Sequence, residues 1–250
     1  MDLNGLNKEQ REAVMHIDGP MLVLAGAGSG KTRVLTNRIA YLIENGVEPF
    51  NILAITFTNK AAKEMKERVS KLIGAQASSI QISTFHSLGL RLLKENYSKL
   101  GYKSNFVILD SDDTLTVVKK IMKEMNLNPK FYNAREIRNK ISSAKNELMS
   151  PSEFSKVEFD QNIIKVFEKY NKKLVINNSV DFDDLLLLPI KLFKEYPDTL
   201  RYYQDKYKYV LIDEYQDTNE AQYIFKISPS KSINSLIIIP NNKYILMIIT

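Results

Sequence analysis

The segment Ala25-Gly-Ala-Gly-Ser-Gly-Lys-Thr32 constrains this chain more than any other. The apolar run Met21 to Ala25 before it reads as a strand. The stretch Thr32 to Asn45 after it reads as a helix, with Val34, Leu35, Ile39, Leu42 and Ile43 at helical spacing. A glycine-rich turn between a buried strand and a helix is the context a P-loop requires. Three glycines let the backbone turn tightly enough to aim N–H groups inward at phosphates, and the helix N-terminus adds partial positive charge. Gly26, Ala27, Gly28, Ser29 and Gly30 are the expected cradle. Lys31 is expected on the β- and γ-phosphates and Thr32 on Mg²⁺. The strict pattern opens with glycine, and here Ala25 stands there. The competing reading, a turn that binds nothing, is disfavoured by the Gly-Lys-Thr ending and the flanks.

A P-loop needs a metal-side partner, and Tyr209-Val-Leu-Ile-Asp-Glu214 has its form. An apolar strand would place Asp213 at its carboxyl end, where ligands of parallel sheets bind. Asp213 is expected to hold Mg²⁺ through water, and Glu214 to act as general base on an attacking water. Adjacent acids alone are usually only solvated. After a buried strand, in a chain with a P-loop, they point to phosphoryl chemistry.

Between these motifs strand and helix alternate: strands at Asn51 to Thr56 and Ser79 to Thr84, helices at Asn59 to Leu72 and Ser87 to Leu100. That alternation predicts a parallel α/β sheet. After Gly101 the texture changes. A short strand, Asn105 to Leu109, and a cap at Asp110 lead into a mostly helical, Lys-rich stretch reaching Tyr170, and Asp181 to Tyr196 reads as a further helix. From Arg91 to Lys145 there are 12 Lys and Arg against 6 Asp and Glu, an excess as large as the net charge of +6 for all 250 residues. A basic balance hints at a polyanionic partner, although any single lysine is more simply a solvated helix face. The chain has no cysteine, which excludes a disulfide scaffold, thiolate zinc sites and a Cys nucleophile. The polar N-terminus lacks a signal-peptide core and no run approaches the length of a membrane span. A soluble, cytoplasmic protein with no membrane partner is expected.

Six blocks fall in order along the chain: Leu6-Asn-Lys-Glu-Gln10-Arg11, the P-loop with Arg33, Ile55-Thr-Phe-Thr-Asn-Lys-Ala-Ala62, Ser83-Thr-Phe-His86-Ser, Asp181-Phe-Asp-Asp-Leu-Leu186 and Asp213-Glu-Tyr-Gln-Asp217. Together, from Leu6 to Tyr223, they resemble the UvrD, Rep and PcrA family of superfamily-one DNA helicases. The resemblance implies a RecA-like P-loop domain, a parallel sheet with helices on both faces, over residues 1–87 and 179–250. It also implies a helical accessory insertion over 88–178 that helps bind duplex DNA. ATP and Mg²⁺ are the implied cofactors. Single-stranded DNA and single/double-strand junctions are the implied partners, with unidentified repair or replication proteins besides. Gln10 resembles an adenine-reading glutamine, and Arg33 and Gln216 are implied near the nucleotide. Thr56, Phe57, Thr58 and Asn59, and then Thr84, Phe85 and His86, resemble two DNA-contacting segments. Residue chemistry agrees in part. An exposed Phe57 can stack on a base, and hydroxyls and Lys60 can meet phosphates. Taken alone, Phe57 and Phe85 read as core, and His86 as a hydrogen-bonded turn histidine. His16 sits in no motif, and the cluster Tyr202, Tyr203, Tyr207, Tyr209 reads as packing.

The resemblance fades after Tyr223. From Ile224 to Thr250 there is no acidic residue, and Leu236 to Ile239 and Ile245 to Ile249 are apolar and β-prone. One reading is a shifted reading frame or truncation in a helicase gene. The other is a terminus whose Ile-rich run supplies the next sheet strand. The family's second motor domain would lie beyond, so ATP and single-strand binding are expected here and unwinding by this chain alone is not. Two further readings stand beside the helicase: a non-catalytic ATP- and DNA-binding module, and the motor part of a RecB- or AddA-type helicase–nuclease.

Overall fold

The computed structural model describes residues 3–26 and 28–213, together with two strands nearer the C-terminus. They form two compact units. Of the described residues, those up to 88, those from 196 to 213 and the two C-terminal strands belong to the first, and residues 89–195 form the second.

The first unit is built on a six-stranded sheet. In chain order its strands are β1 (Met21–Ala25), β2 (Ile52–Thr56) and β3 (Gln81–Thr84). Three more strands, defined here as β6 (Tyr209–Ile212), β7 (Ser235–Pro240) and β8 (Leu246–Ile249), complete it in the order β3-β2-β6-β7-β1-β8. All neighbours are parallel except β8, which runs antiparallel to β1 at the edge. The link from Pro240 to Leu246 is too short for the dozen or more residues of a parallel crossover, so the chain returns in the opposite sense. The expected parallel α/β sheet is therefore present with one antiparallel edge. The Ile-rich run supplies two strands of this sheet, β7 and β8. Strands β2 and β6 are buried along their whole length, as an apolar interior strand covered on both faces must be.

Helices α1 (Lys8–Met15), α2 (Lys31–Glu44) and α3 (Asn59–Ile73) pack with this sheet, and Val14, Leu35, Ile39, Leu42, Val69 and Ile52 share its core. Helix α4 (Phe85–Asn96) starts directly after β3, two residues earlier than its periodicity suggested. Helix α10 (Pro197–Lys206) leads into β6.

In the second unit, β4 (Val107–Ile108) pairs in parallel with β5 (Ser179–Val180), tying the two ends of the helical stretch together. Between them lie α5 (Ser111–Glu124), α6 (Ala134–Asn146), the single turn α7 (Pro151–Phe154) and α8 (Gln161–Ile176). Val118, Ile121, Ile137, Ile141, Val166 and Phe167 form their common core. Helix α9 (Asp184–Glu195) follows β5 and contains Pro189, which lacks the N–H that the Leu185 carbonyl would otherwise accept. Gly89 of α4 lies directly against that carbonyl. A Cβ at Gly89 would overlap the Leu185 oxygen, so this close approach admits glycine alone.

Candidate nucleotide and nucleic-acid site

The glycine-rich loop runs from the carboxyl end of β1 to the head of α2. Gly28 and Gly30 have φ of 75° and 84°, a left-handed backbone that favours glycine. Gly30 is the N-cap of α2. It offers no side-chain cap, and the first turn holds no acidic residue. Five other helix heads carry a side-chain cap: Asn7 caps α1, Thr58 caps α3, Asp110 caps α5, Asn133 caps α6 and Asp160 caps α8. The N-cap therefore places no side-chain oxygen at the positive dipole end of α2, an arrangement that suits an anion. A Cβ on Gly28 would meet nothing within 4 Å, so that side of the loop is open. The Ser29 Oγ is buried and has no hydrogen-bond partner among the described residues. Lys31, the first residue of α2, donates from Nζ to the Gly26 carbonyl at 3.4 Å.

Gln10 is drawn onto this loop. Its Nε2 donates to the Ser29 carbonyl at 2.7 Å, while its Oε1 accepts from the Asn7 amide at 3.1 Å. Asn7 accepts in turn from the Gln10 amide at 2.8 Å, closing a capping box that fixes the glutamine. A base read by Gln10 would exchange these bonds for its own. Asn7 was not among the expected site residues, although an Asn followed three positions on by Gln was the legible signal. Gln10, Ala25, Ser29 and Lys31 line a narrow cavity of about 20 Å³. The Arg33 guanidinium lies over Gly5, where a Cβ would overlap it.

Asp213 follows β6, is buried, and its amide donates to the Ile55 carbonyl at 3.0 Å. Strand β7 separates β6 from β1, so Asp213 and the loop stand two strand spacings apart, about 10 Å. Among the described residues no three His, Cys, Asp or Glu side chains gather as a metal site. The described residues offer a divalent ion the Thr32 hydroxyl and the Asp213 carboxylate, donors that fit the mixed set such ions take beside phosphate oxygens. Ala27, Glu214 and Gln216 lie outside the described residues.

The two segments expected to meet DNA end adjacent parallel strands, with Thr56 in register with Thr84. The Phe57 and Phe85 rings meet edge-on at 5.9 Å. Their exposure differs. Phe85 is 1% exposed and belongs to the core, whereas Phe57 is half-buried, and Thr58 and Asn59 are exposed. Thr56 and Thr84 are buried as well. Phe85, Thr56 and Thr84, also expected to meet DNA, thus have their side chains buried beneath this surface. Ser87, quoted in its motif but given no role, joins the two segments: its Oγ accepts from Thr84 Oγ1 at 2.9 Å and donates to Asn59 Oδ1 at 3.5 Å. His86 is partly buried, and burial pushes its imidazole pKa below the ordinary value.

A family model described as the UvrD/REP helicase N-terminal domain matches residues 6–241. The chain belongs to this family. The UvrD/REP match runs past Tyr223 and takes in β7, beyond the point where the sequence motifs fade. Among curated proteins, the ATP-dependent DNA helicase PcrA of Bacillus subtilis (strain 168) is 57% identical over 226 residues, 89% of this chain and 31% of that protein. PcrA of Staphylococcus aureus (strain Mu50) is 48% identical over 241 residues, 94% of this chain and 33% of that protein. The chain spans about a third of the length of these relatives. Among the described residues, no helix is long and apolar enough to cross a membrane.

Proposed function

We propose that this chain is the ATP-binding, DNA-contacting part of a UvrD/REP-type ATP-dependent DNA helicase or translocase. The observation that carries the proposal is the head of α2: a glycine N-cap with no competing side-chain oxygen and Lys31 at its first position. The loop amides and Lys31 would bind the β- and γ-phosphates, and the Gln10 carboxamide the adenine edge. Arg33 and Gln216 would line the nucleotide. Water attacks the γ-phosphorus, the bond to the bridging oxygen of the ADP leaving group breaks, and Glu214 accepts the water proton. Thr32 and Asp213 would hold Mg²⁺, which neutralises charge on the phosphate oxygens when bound. Phe57, Thr58, Asn59 and His86 would meet single-stranded DNA, Phe57 by stacking on a base.

The test is ATP hydrolysis by the purified chain with and without single-stranded DNA, beside Lys31→Ala. DNA-stimulated turnover that falls roughly 10²–10³-fold in the variant is the expected result. A folded chain that binds no ATP, or a variant as active as the parent, overturns the proposal. ATP and DNA binding without turnover would leave a binding-only part whose catalysis needs the rest of the longer protein.

A further inference from the structure

The end of α5, the loop after it and the start of α6 enclose a groove of about 820 Å³ within the second unit. Its floor is apolar: Met122 is buried and Leu127 half-buried, with Pro129 and Ala134 alongside. Tyr132 forms a wall, and its hydroxyl accepts from Asn162 Nδ2 at 2.8 Å. The rim carries Lys119, Lys123 and Arg135, all exposed, and no acidic side chain lines the groove.

These three cations line one groove, and like many surface lysines of the unit they keep their charge unneutralised. Arg91, Lys140, Lys145, Lys173 and Lys191 each pair with a carboxylate. Lys119, Lys123 and Arg135 make no ion pair among the described residues. The chain also leaves Phe131, between two lining residues in sequence, 82% exposed. An open apolar floor under a ring of like charge is unfavourable on both counts, and one kind of occupant relieves both.

We propose that this groove docks an acidic segment of a partner protein. An apolar side chain of that segment would sit over Met122 and Leu127, and its carboxylates would meet Lys119, Lys123 and Arg135. A nucleic-acid backbone would satisfy the cations but leave the floor wet, which favours a peptide. The proposal does not rest on the nucleotide or DNA readings of the first unit.

A random peptide display library selected against the whole chain tests it, with the selected peptides then titrated against Lys119→Glu/Lys123→Glu. Both positions are exposed, and thermal melting checks that the variant folds. The expected result is enrichment of sequences that join Asp and Glu to a Leu, Ile or Phe anchor, binding roughly tenfold more weakly to the double variant. Lys165→Glu, a surface change elsewhere on α8, should leave that binding unchanged. Peptides without acidic character, or equal affinity for the double variant, overturn the proposal. So does a variant that keeps the peptides but loses duplex DNA, which would make the groove a nucleic-acid face.

Discussion

Lys31 and Lys145 stand at opposite ends of their helices and in opposite surroundings. Lys31 opens α2, where the dipole already presents positive charge, and it reaches one loop carbonyl at 3.4 Å. Lys145 lies in the last turn of α6, where the dipole favours a cation. It is buried, donating to Asp181 Oδ2 at 2.6 Å and Asp184 Oδ1 at 2.8 Å, while the Tyr170 hydroxyl also donates to Asp181 at 2.9 Å. Burial works against the Lys145 ammonium, but the Asp184 and Asp181 carboxylates outweigh it and hold its pKa above the ordinary value. The second unit thus consumes its cation internally to close a core. The first unit holds a cation where its own helix dipole disfavours one, and a phosphate bound there as proposed would make that position favourable.

The largest effect separates the two lysines directly. Lys145→Met leaves two buried carboxylates without their counter-ion and should lower stability by about 3–5 kcal/mol in denaturant unfolding. Adding Asp184→Asn, which leaves one carboxylate rather than two, should recover part of the loss. Lys31→Met removes positive charge from a positive helix end and should shift stability by no more than about 1 kcal/mol, while ATP turnover is lost. Equal destabilisation by the two substitutions would collapse the contrast.

The next effect sharpens the same division within the first unit. Phe85→Ala empties a core position and should lower stability by about 3–5 kcal/mol. Phe57→Ala should weaken single-stranded DNA binding by about 1–3 kcal/mol, with a much smaller cost in unfolding. Both are read by denaturant titration and by anisotropy of a labelled oligonucleotide. A Phe57 variant that binds DNA like the parent removes the stacking role.

Much of this was legible in the residues. The strands at Met21–Ala25 and Tyr209–Ile212 and the helix after the glycine loop follow from apolar runs and helical spacing. What escaped depends on long-range placement. Phe57 and Phe85 each follow a strand by one residue and look alike in sequence. Only the fold makes Phe85 the first residue of α4, turned into the core, and leaves Phe57 ahead of the Thr58 cap. Lys145 looks like one more lysine of a solvated face because its aspartates lie 36 and 39 residues away. Helix α9 starts at Asp184 rather than Asp181 because the Asp181 carboxylate accepts the Asp184 amide at 2.8 Å, holding the chain non-helical before it.

The smallest effect is a slope with pH, and it asks how complete the sealing of Lys145 is. One ammonium faces two carboxylates, so the buried cluster carries an excess negative charge until one of them takes a proton. Burial, opposed by Lys145 and reinforced by Asp181, pushes the Asp184 carboxyl up to about 6. Asp181 is held below its ordinary value: burial works against its charge, but Lys145, the Asp184 amide and the Tyr170 hydroxyl outweigh it. An unfolded aspartate titrates near ~4. Between about pH 4 and 6 the folded chain keeps a proton on Asp184 that the unfolded chain has lost, so this group's contribution to stability falls as pH rises through that window. Asp181 acts in the opposite sense and at lower pH, as its carboxylate protonates. Unfolding free energies measured from pH 4 to 7 should therefore decline more steeply with pH in the parent than in Asp184→Asn. Identical slopes would mean that Lys145 neutralises both carboxylates throughout, and the cluster would then be a closed salt bridge with no proton to exchange.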